Sequence, residues 1–438
     1  MGSRKKPHIA LFPSFGTGHL IPFLEFAKRM AVDHGFTVTF ITTPSLHSSA
    51  ETTLMQGLVS SGSDISLLEF PPLPQAEEEA APPQSAETFL IGRFQTIENC
   101  KGPVKDVLGI LKGDVCAFVT DLFCTAMVEV SASLHIPVNI DDPVDIPGLP
   151  AMPVRYFPEP MQTRADTICH LFLRHSHRLC NADGILINTF HDLESGALRA
   201  LLHRKRELLP EGVETGPEIY PIGPLIRSPE VEPGKSGCLE WLDRQPASVI
   251  FVAFGSGGFL AAEQARELAL GLEDSGLRFL WVVRTPPGLS LSGFLPPGFE
   301  TRTNSRGLVW SSWAPQTAVL SHPSTGGFVS HCGWNSVLES VSCGVPLIAW
   351  PLVADQKTSA FCLVNEIGVA LEPAWRPNWW VGKEEVARVT REMIDGEGGR
   401  KVRRKALQLK QAAAKAVAVG GTSTELLSAL AAQWKNGN

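Results

Sequence analysis

Short apolar runs separated by more polar, helix-forming stretches set the rhythm of the first half of the chain. His8–Phe12, Phe36–Thr42, Ile65–Phe70, Val115–Thr120 and Gly184–Asn188 are rich in Val, Ile and Phe. They do not alternate strictly between apolar and polar, which is the pattern of parallel strands covered on both faces. His19–Met30, between the first two, reads as a crossover helix, so the unit is βαβ and the sheet is doubly wound. Pro71–Gln84 is acidic and Pro-rich and reads as a surface loop. The rhythm breaks at Gly223–Gly237, where Pro, Gly, Ser and charged residues predominate as in a linker. It restarts with Val249–Phe254, Phe279–Val283, Leu308–Ser311, Gly327–Ser330 and Pro346–Trp350, and a last helix is expected at Ser423–Trp434. The pattern predicts an α/β protein of two Rossmann-like, doubly wound domains facing a central cleft. Residues 1–223 form the first, 224–238 the linker and 239–422 the second, with 423–438 a helix returning to the first. Ligands of such sheets bind outside the carboxyl ends of the strands.

Composition narrows the class. A chain of 438 residues exceeds what one core usually holds, and 44% hydrophobic with 19% charged residues is a globular balance. The net charge of -7 gives no reason to expect a nucleic acid partner. The basic run Arg400, Lys401, Arg403, Arg404, Lys405 reads as a solvated helix face. Nine scattered cysteines, an odd number without a CxxC, point to reduced thiols and a cytoplasmic protein. The basic start is followed only by a short apolar stretch broken at Pro13, unlike a secretory signal. No apolar run approaches the roughly 20 residues of a membrane helix, so stable membrane insertion is not expected. A monomer is expected.

Candidate chemistry sits at the strand ends. After the first strand, Gly16 and Gly18 allow a tight turn into a helix whose start carries His19, placed as a general base. Position 21 is Ile, so the glycines do not complete a dinucleotide fingerprint. Asp121 follows the fourth strand and emerges at the same sheet edge, where a carboxylate can orient the imidazole and stabilise its charged form. In the second half, Ser256 lies in the glycine-rich turn Phe254–Gly258, which can hold a phosphate. A strand ending at Ser330 leads through His331 into a helix with Asn335 and Ser336 at its start and Glu339 further on. Its free N–H groups suit a diphosphate. Trp313 offers a flat face for a base, and Asp355 beside Gln356 can bind vicinal sugar hydroxyls. The acids Asp141, Asp142 and Asp145 in a Pro-rich loop, and His175 and His177, lack a metal-ligand spacing, and no metal is expected.

Trp313 to Gln356, WAPQTAVLSHPSTGGFVSHCGWNSVLESVSCGVPLIAWPLVADQ, resembles the signature box of plant secondary-metabolite UDP-glycosyltransferases almost throughout. The likeness extends over most of the chain through PSFGTGHLIPFLEFAKR, FVTDLF, DGILINTFHDLE, YPIGPL, CLEWLDRQP, FGSGG, RFLWVVR and LPPGFETRT. It looks closest to the branch acting on phenylpropanoids, hydroquinones and flavonoids. The resemblance implies a GT-B fold and inverting, metal-free transfer of glucose from UDP-glucose to a phenolic or flavonoid hydroxyl. No cofactor is implied beyond that donor, and the partners are a UDP-sugar and a small aromatic acceptor. By the same resemblance, His19 and Asp121 are the catalytic dyad. Trp313 stacks on the uracil, and the Ala314 backbone with Gln316 hydrogen-bonds it. Glu339 holds the ribose. His331, Asn335, Ser336 and Ser256 hold the diphosphate, and Trp334, Asp355 and Gln356 contact the sugar. Gln356 points to glucose rather than galactose. Phe15, Ile91 and Phe123 are expected on the acceptor side.

Two departures from the family stand out. Relatives carry a further helical segment between Ile136–Asn139 and Asp141–Leu149, and the loop after Arg284 is also short here. Asn139-Ile140-Asp141 reads as an abrupt join. Ile91 stands where some O-glycosylating relatives have an acidic residue. Other readings remain: C-glycosylation of an aromatic ring on the same scaffold, a UDP-sugar epimerase of the same fold, or a UDP-sugar binding protein without catalysis. The intact His19 and Asp121 argue against the last.

Overall fold

Each of the two larger sheets is sandwiched between two apolar layers, and the strand sequences show why. Within His8–Phe12 (β1), Ile9 and Leu11 enter one core cluster while Ala10 and Phe12 enter the other. Within Val249–Ala253 (β9), Val249, Phe251 and Ala253 face one layer and Ile250 and Val252 the opposite one. Both faces demand apolar side chains, so the runs cannot alternate. In this computed structural model the described residues are 6–73, 86–111, 115–121, 123–124, 143–144, 148–158, 162, 171, 174–176, 178–180, 182–203, 216–227, 237–256, 258–286 and 288–436. The segment Ile136–Asn139, the join at Asn139–Asp141, the three loop acids and His177 lie outside them, as do most of Pro71–Gln84 and the middle of the linker.

The first half builds a four-stranded sheet in the order β3-β2-β1-β4, with Thr37–Thr42 as β2, Ile65–Glu69 as β3 and Val115–Thr120 as β4. Every pairing in it is parallel. Two short strands, Pro143–Val144 (β5) and Met152–Pro153 (β6), pair antiparallel. Gly184–Ile187 (β7) pairs parallel with Glu218–Pro221 (β8) rather than with the larger sheet. β8 was not expected from the sequence; it is four residues long and ends on Pro221.

The second half is a six-stranded parallel sheet. Its strands are β9, Phe279–Val282 (β10), Gly307–Trp310 (β11), Thr325–Ser330 (β12), Leu347–Ala349 (β13) and Ala370–Leu371 (β14), in the order β11-β10-β9-β12-β13-β14. β14, only two residues long, gives no readable pattern.

Two segments cross between the halves. The helix Thr422–Asn436 places Leu427 and Ala431 in the cluster around β1 and bonds Ser423 Oγ to the Gly223 carbonyl at 2.6 Å. In the other direction, residues 148–158 lie as a strap on the second half. Tyr156 packs on Phe361 at 5.0 Å and edge-on to Trp379 at 5.4 Å, and donates to Glu372 at 3.0 Å. Its carbonyl accepts from Thr358 Oγ1 at 2.8 Å. The strap begins at Gly148, at φ 85°, where a Cβ would stand 2.4 Å from the Gly196 carbonyl. Only glycine allows that backbone approach.

Candidate active site

β1 and β4 run side by side with Phe12 opposite Thr120, so the residues that follow them leave the same sheet edge. After β1 the chain turns at Gly16, whose φ of 96° is strained for any side chain. The helix Thr17–Val32 begins at once, and His19 lies in its first turn. Asp121 follows β4 directly and is 8% exposed. His19 Nδ1 lies 3.0 Å from Asp121 Oδ2, and Asp121 Oδ1 accepts from the Phe123 N–H at 2.9 Å. Burial pulls the His19 pKa down, but the hydrogen bond and charge of Asp121, with the charges of Asp355 and Glu51, outweigh it. The ring is held above its ordinary 6.5. Burial pushes the Asp121 carboxyl up, yet the bonded His19 and the Phe123 N–H bring it below the usual carboxylate range. With Nδ1 turned to Asp121, Nε2 is the nitrogen left to take a proton from an acceptor.

Across the cleft, β12 ends at Ser330 and the chain passes through Cys332, at φ 64°, into the helix Trp334–Cys343. Gly333 caps that helix without a side chain, so its first N–H groups are left for a ligand. The His331 ring is wedged between two glycines: a Cβ on Gly255 would lie 2.6 Å from its Nε2, and one on Gly333 2.4 Å. Burial pushes the His331 pKa down to about 4, so the ring is neutral at physiological pH. Glu339 is 8% exposed, and burial raises its carboxyl despite hydrogen bonds from Gln316 and Thr317 and the charge of Arg227. Gln316 Nε2 bridges Glu339 Oε2 at 2.6 Å and Ser336 Oγ at 2.8 Å. The amide expected at the uracil therefore also orients the two side chains expected at the ribose and diphosphate.

Trp313 is 67% exposed, a bare aromatic face beside Ala314, so it is no core residue. Its carbonyl is held by Trp310 Nε1 at 3.1 Å. Gln356 accepts from the Leu352 and Val353 N–H groups through Oε1, which leaves its NH2 group to donate. Asp355 precedes it at the start of the helix Gln356–Asn365.

His19, Trp313, His331, Asn335, Glu339 and Asp355 line one cleft of about 1660 Å³ between the halves. Three side chains expected on the donor also reach across it. Asn335 Nδ2 donates to the Gly18 carbonyl at 2.7 Å, Ser256 Oγ meets Thr17 Oγ1 at 3.0 Å, and Trp334 Nε1 donates to the Asn188 carbonyl at 2.7 Å. The Trp334 indole N–H is thereby committed to joining the halves, which leaves the ring face and the backbone N–H for a sugar.

On the acceptor side, the Phe123 ring lies 4.8 Å from His19 and is stacked on Phe15 at 6.1 Å. The Arg93 guanidinium lies 5.5 Å over Phe15. Ile91 is on the helix Ala86–Asn99, and Phe94, one turn further, meets Phe123 edge-on at 5.5 Å and His175 at 4.8 Å. Sequence reasoning passed over Phe94. The helical spacing Ile91, Phe94, Ile97 was the available signal. It also passed over Thr17, which meets Ser256 of the other half, and Asn188, whose carbonyl accepts from Trp334 while its side chain bonds Leu225 in both directions.

Comparison with known proteins agrees with this geometry. Residues 236–374 match the family described as UDP-glucoronosyl and UDP-glucosyl transferase. The chain is 40% identical to UDP-glycosyltransferase 72B1 of Arabidopsis thaliana, covering 99% of this chain and 98% of that one. It is 38% identical to a hydroquinone glucosyltransferase of Rauvolfia serpentina, covering 98% of each. The first alignment runs over 485 residues, more than the 438 here, so the relatives carry insertions. A solved structure of Phytolacca americana UGT2, complexed with UDP-2-fluoro-glucose and pterostilbene, superposes with a TM-score of 0.85 at 39% identity. That match covers 98% of this chain and 100% of the other.

Proposed function

Because this chain belongs to the UDP-glycosyltransferase family and has its GT-B fold, we propose that it transfers glucose from UDP-glucose to a hydroxyl of a phenolic or flavonoid acceptor, with inversion and without a metal ion. The observation that carries the reading is the His19–Asp121 pair at 3.0 Å, set across one cleft from the uncapped start of the helix Trp334–Cys343. His19 Nε2 takes the acceptor proton while the acceptor oxygen forms its bond to the anomeric carbon. The bond from that carbon to the β-phosphate oxygen breaks, and its electron pair leaves with UDP. Asp121 stabilises the imidazolium, and the helix N–H groups with Asn335 and Ser336 take up the growing charge on the diphosphate. A single displacement with one base and no protein nucleophile inverts the anomeric centre.

The aromatic wall of Phe15 and Phe123 supports a flat acceptor, as do the relatives that act on hydroquinone or hold pterostilbene. The free NH2 group of Gln356 supports glucose as the sugar. The epimerase alternative finds no support among these relatives. The proposal includes a monomeric, cytoplasmic enzyme with no cofactor. Among the described residues no helix is long and apolar enough to cross a membrane.

The test is UDP-glucose with a panel of phenols and flavonoids, product mass spectrometry and acid hydrolysis. Acid-labile glucosides, made as fast with a chelator present and faster than with UDP-galactose, are expected. Acid-stable products, or donor conversion without an acceptor, would replace this reading.

A further inference from the structure

In an α-helix the carbonyl of residue 18 accepts from the N–H of residue 22. In Thr17–Val32, residue 22 is Pro22, inside the helix and without an N–H. Its ring also crowds that carbonyl and turns it outward. The Gly18 carbonyl so released is the one that accepts Asn335 Nδ2 from the opposite half at 2.7 Å. Gly18 and Asn335 both line the donor cleft, and His19 is the next residue along the helix.

We propose that Pro22 is a positioning residue for glycosyl transfer: by leaving the Gly18 carbonyl without a helical partner, it lets the helix that carries His19 dock on Asn335. The Asn335 NH2 group has two hydrogens. One is fixed on Gly18, which sets the plane of the amide and directs the other hydrogen toward the diphosphate. The same bond fixes the separation between the base and the leaving group. Thr17 Oγ1 against Ser256 Oγ at 3.0 Å adds a second tie at the same helix start. The inference rests on the proposed role of Asn335 at the diphosphate.

Pro22→Ala restores the N–H and places a strong helix former in the helix. The expected result is a melting temperature equal to or above that of the parent, with kcat about three- to tenfold lower, the range for losing one hydrogen bond. A purely structural proline would move stability and rate in the same direction. In an Asn335→Ala background, Pro22→Ala should change kcat no further, because the acting bond is already gone. Pro22→Gly restores the same N–H and serves if the alanine variant does not fold. An unchanged kcat in the folded variant overturns the inference, and so does an equal loss in both backgrounds. If Asn335→Ala alone leaves kcat and UDP affinity intact, the diphosphate assignment fails instead.

Discussion

His19 can act as a base only while its ring is neutral, and Asp121 works against that by favouring the charged form. Because the folded pKa lies above 6.5, kcat/KM should fall as pH drops through a value higher than for a free histidine. Asp121→Asn removes the charge that raises it. The acid limb should then move to lower pH while the plateau rate drops, and pH profiles of the two proteins check this. His19→Ala should lower transfer to weakly acidic hydroxyls by roughly 10² to 10⁴-fold. Retention of most activity with such an acceptor would remove the base assignment. Trp313 separates binding from folding. With 67% of it exposed, Trp313→Ala should cost stability only about 0.5 kcal/mol or less. UDP affinity should fall about ten- to a hundredfold, since stacking on a base is worth about 1–3 kcal/mol. Calorimetric titration with UDP on the folded variant decides it.

At the scale of elements, the proposed donor site depends on turns as much as on side chains. The turn after β9 needs Gly255 twice: its φ is 76°, and a Cβ there would strike the His331 ring. Gly255→Ala should cost about 1–2 kcal/mol from the left-handed backbone alone. It should also weaken UDP binding by displacing His331. A variant that melts lower but binds UDP as before would show that His331 is packing and not a donor contact. The helix Thr17–Val32 shows the converse, an element whose interruption by Pro22 leaves a polar group available at the site. The turn glycines are legible in the sequence, whereas Pro22 is hidden inside a stretch that reads as one helix. What each one makes room for is not legible there.

The whole molecule is held together by segments that cross its own boundary. The strap 148–158 grips the helix Gln356–Asn365, which starts at the residues proposed to hold the sugar. Tyr156→Phe removes the hydroxyl that bonds Glu372 and interacts with Arg155. It should destabilise the chain by about 1.5–3 kcal/mol, the range for a hydrogen bond to a charged group. UDP affinity should stay unchanged, because the proposed nucleotide contacts come from the second half alone. Denaturant unfolding and UDP titration read the two effects, and a loss of UDP affinity would show that the strap shapes the nucleotide site itself.

The sequence alone determined the two parallel sheets, since strands buried on both faces are apolar at most positions whatever lies against them. It also placed His19 and Asp121 at one edge, because adjacent parallel strands end together, and it gathered most of the residues proposed for the donor into the run Trp313–Gln356. Tertiary structure decided what those side chains touch. Asn335 meets Gly18 across 317 positions of chain, and Thr358 meets Tyr156 across 202. Trp334 is turned to Asn188, Gln316 to Glu339, and Phe94 meets Phe123 edge-on. Periodicity and motif spacing report on residues within a few turns or one strand of each other. A hydrogen bond between two halves depends on how the separately folded sheets come to face one another, and no local pattern encodes that.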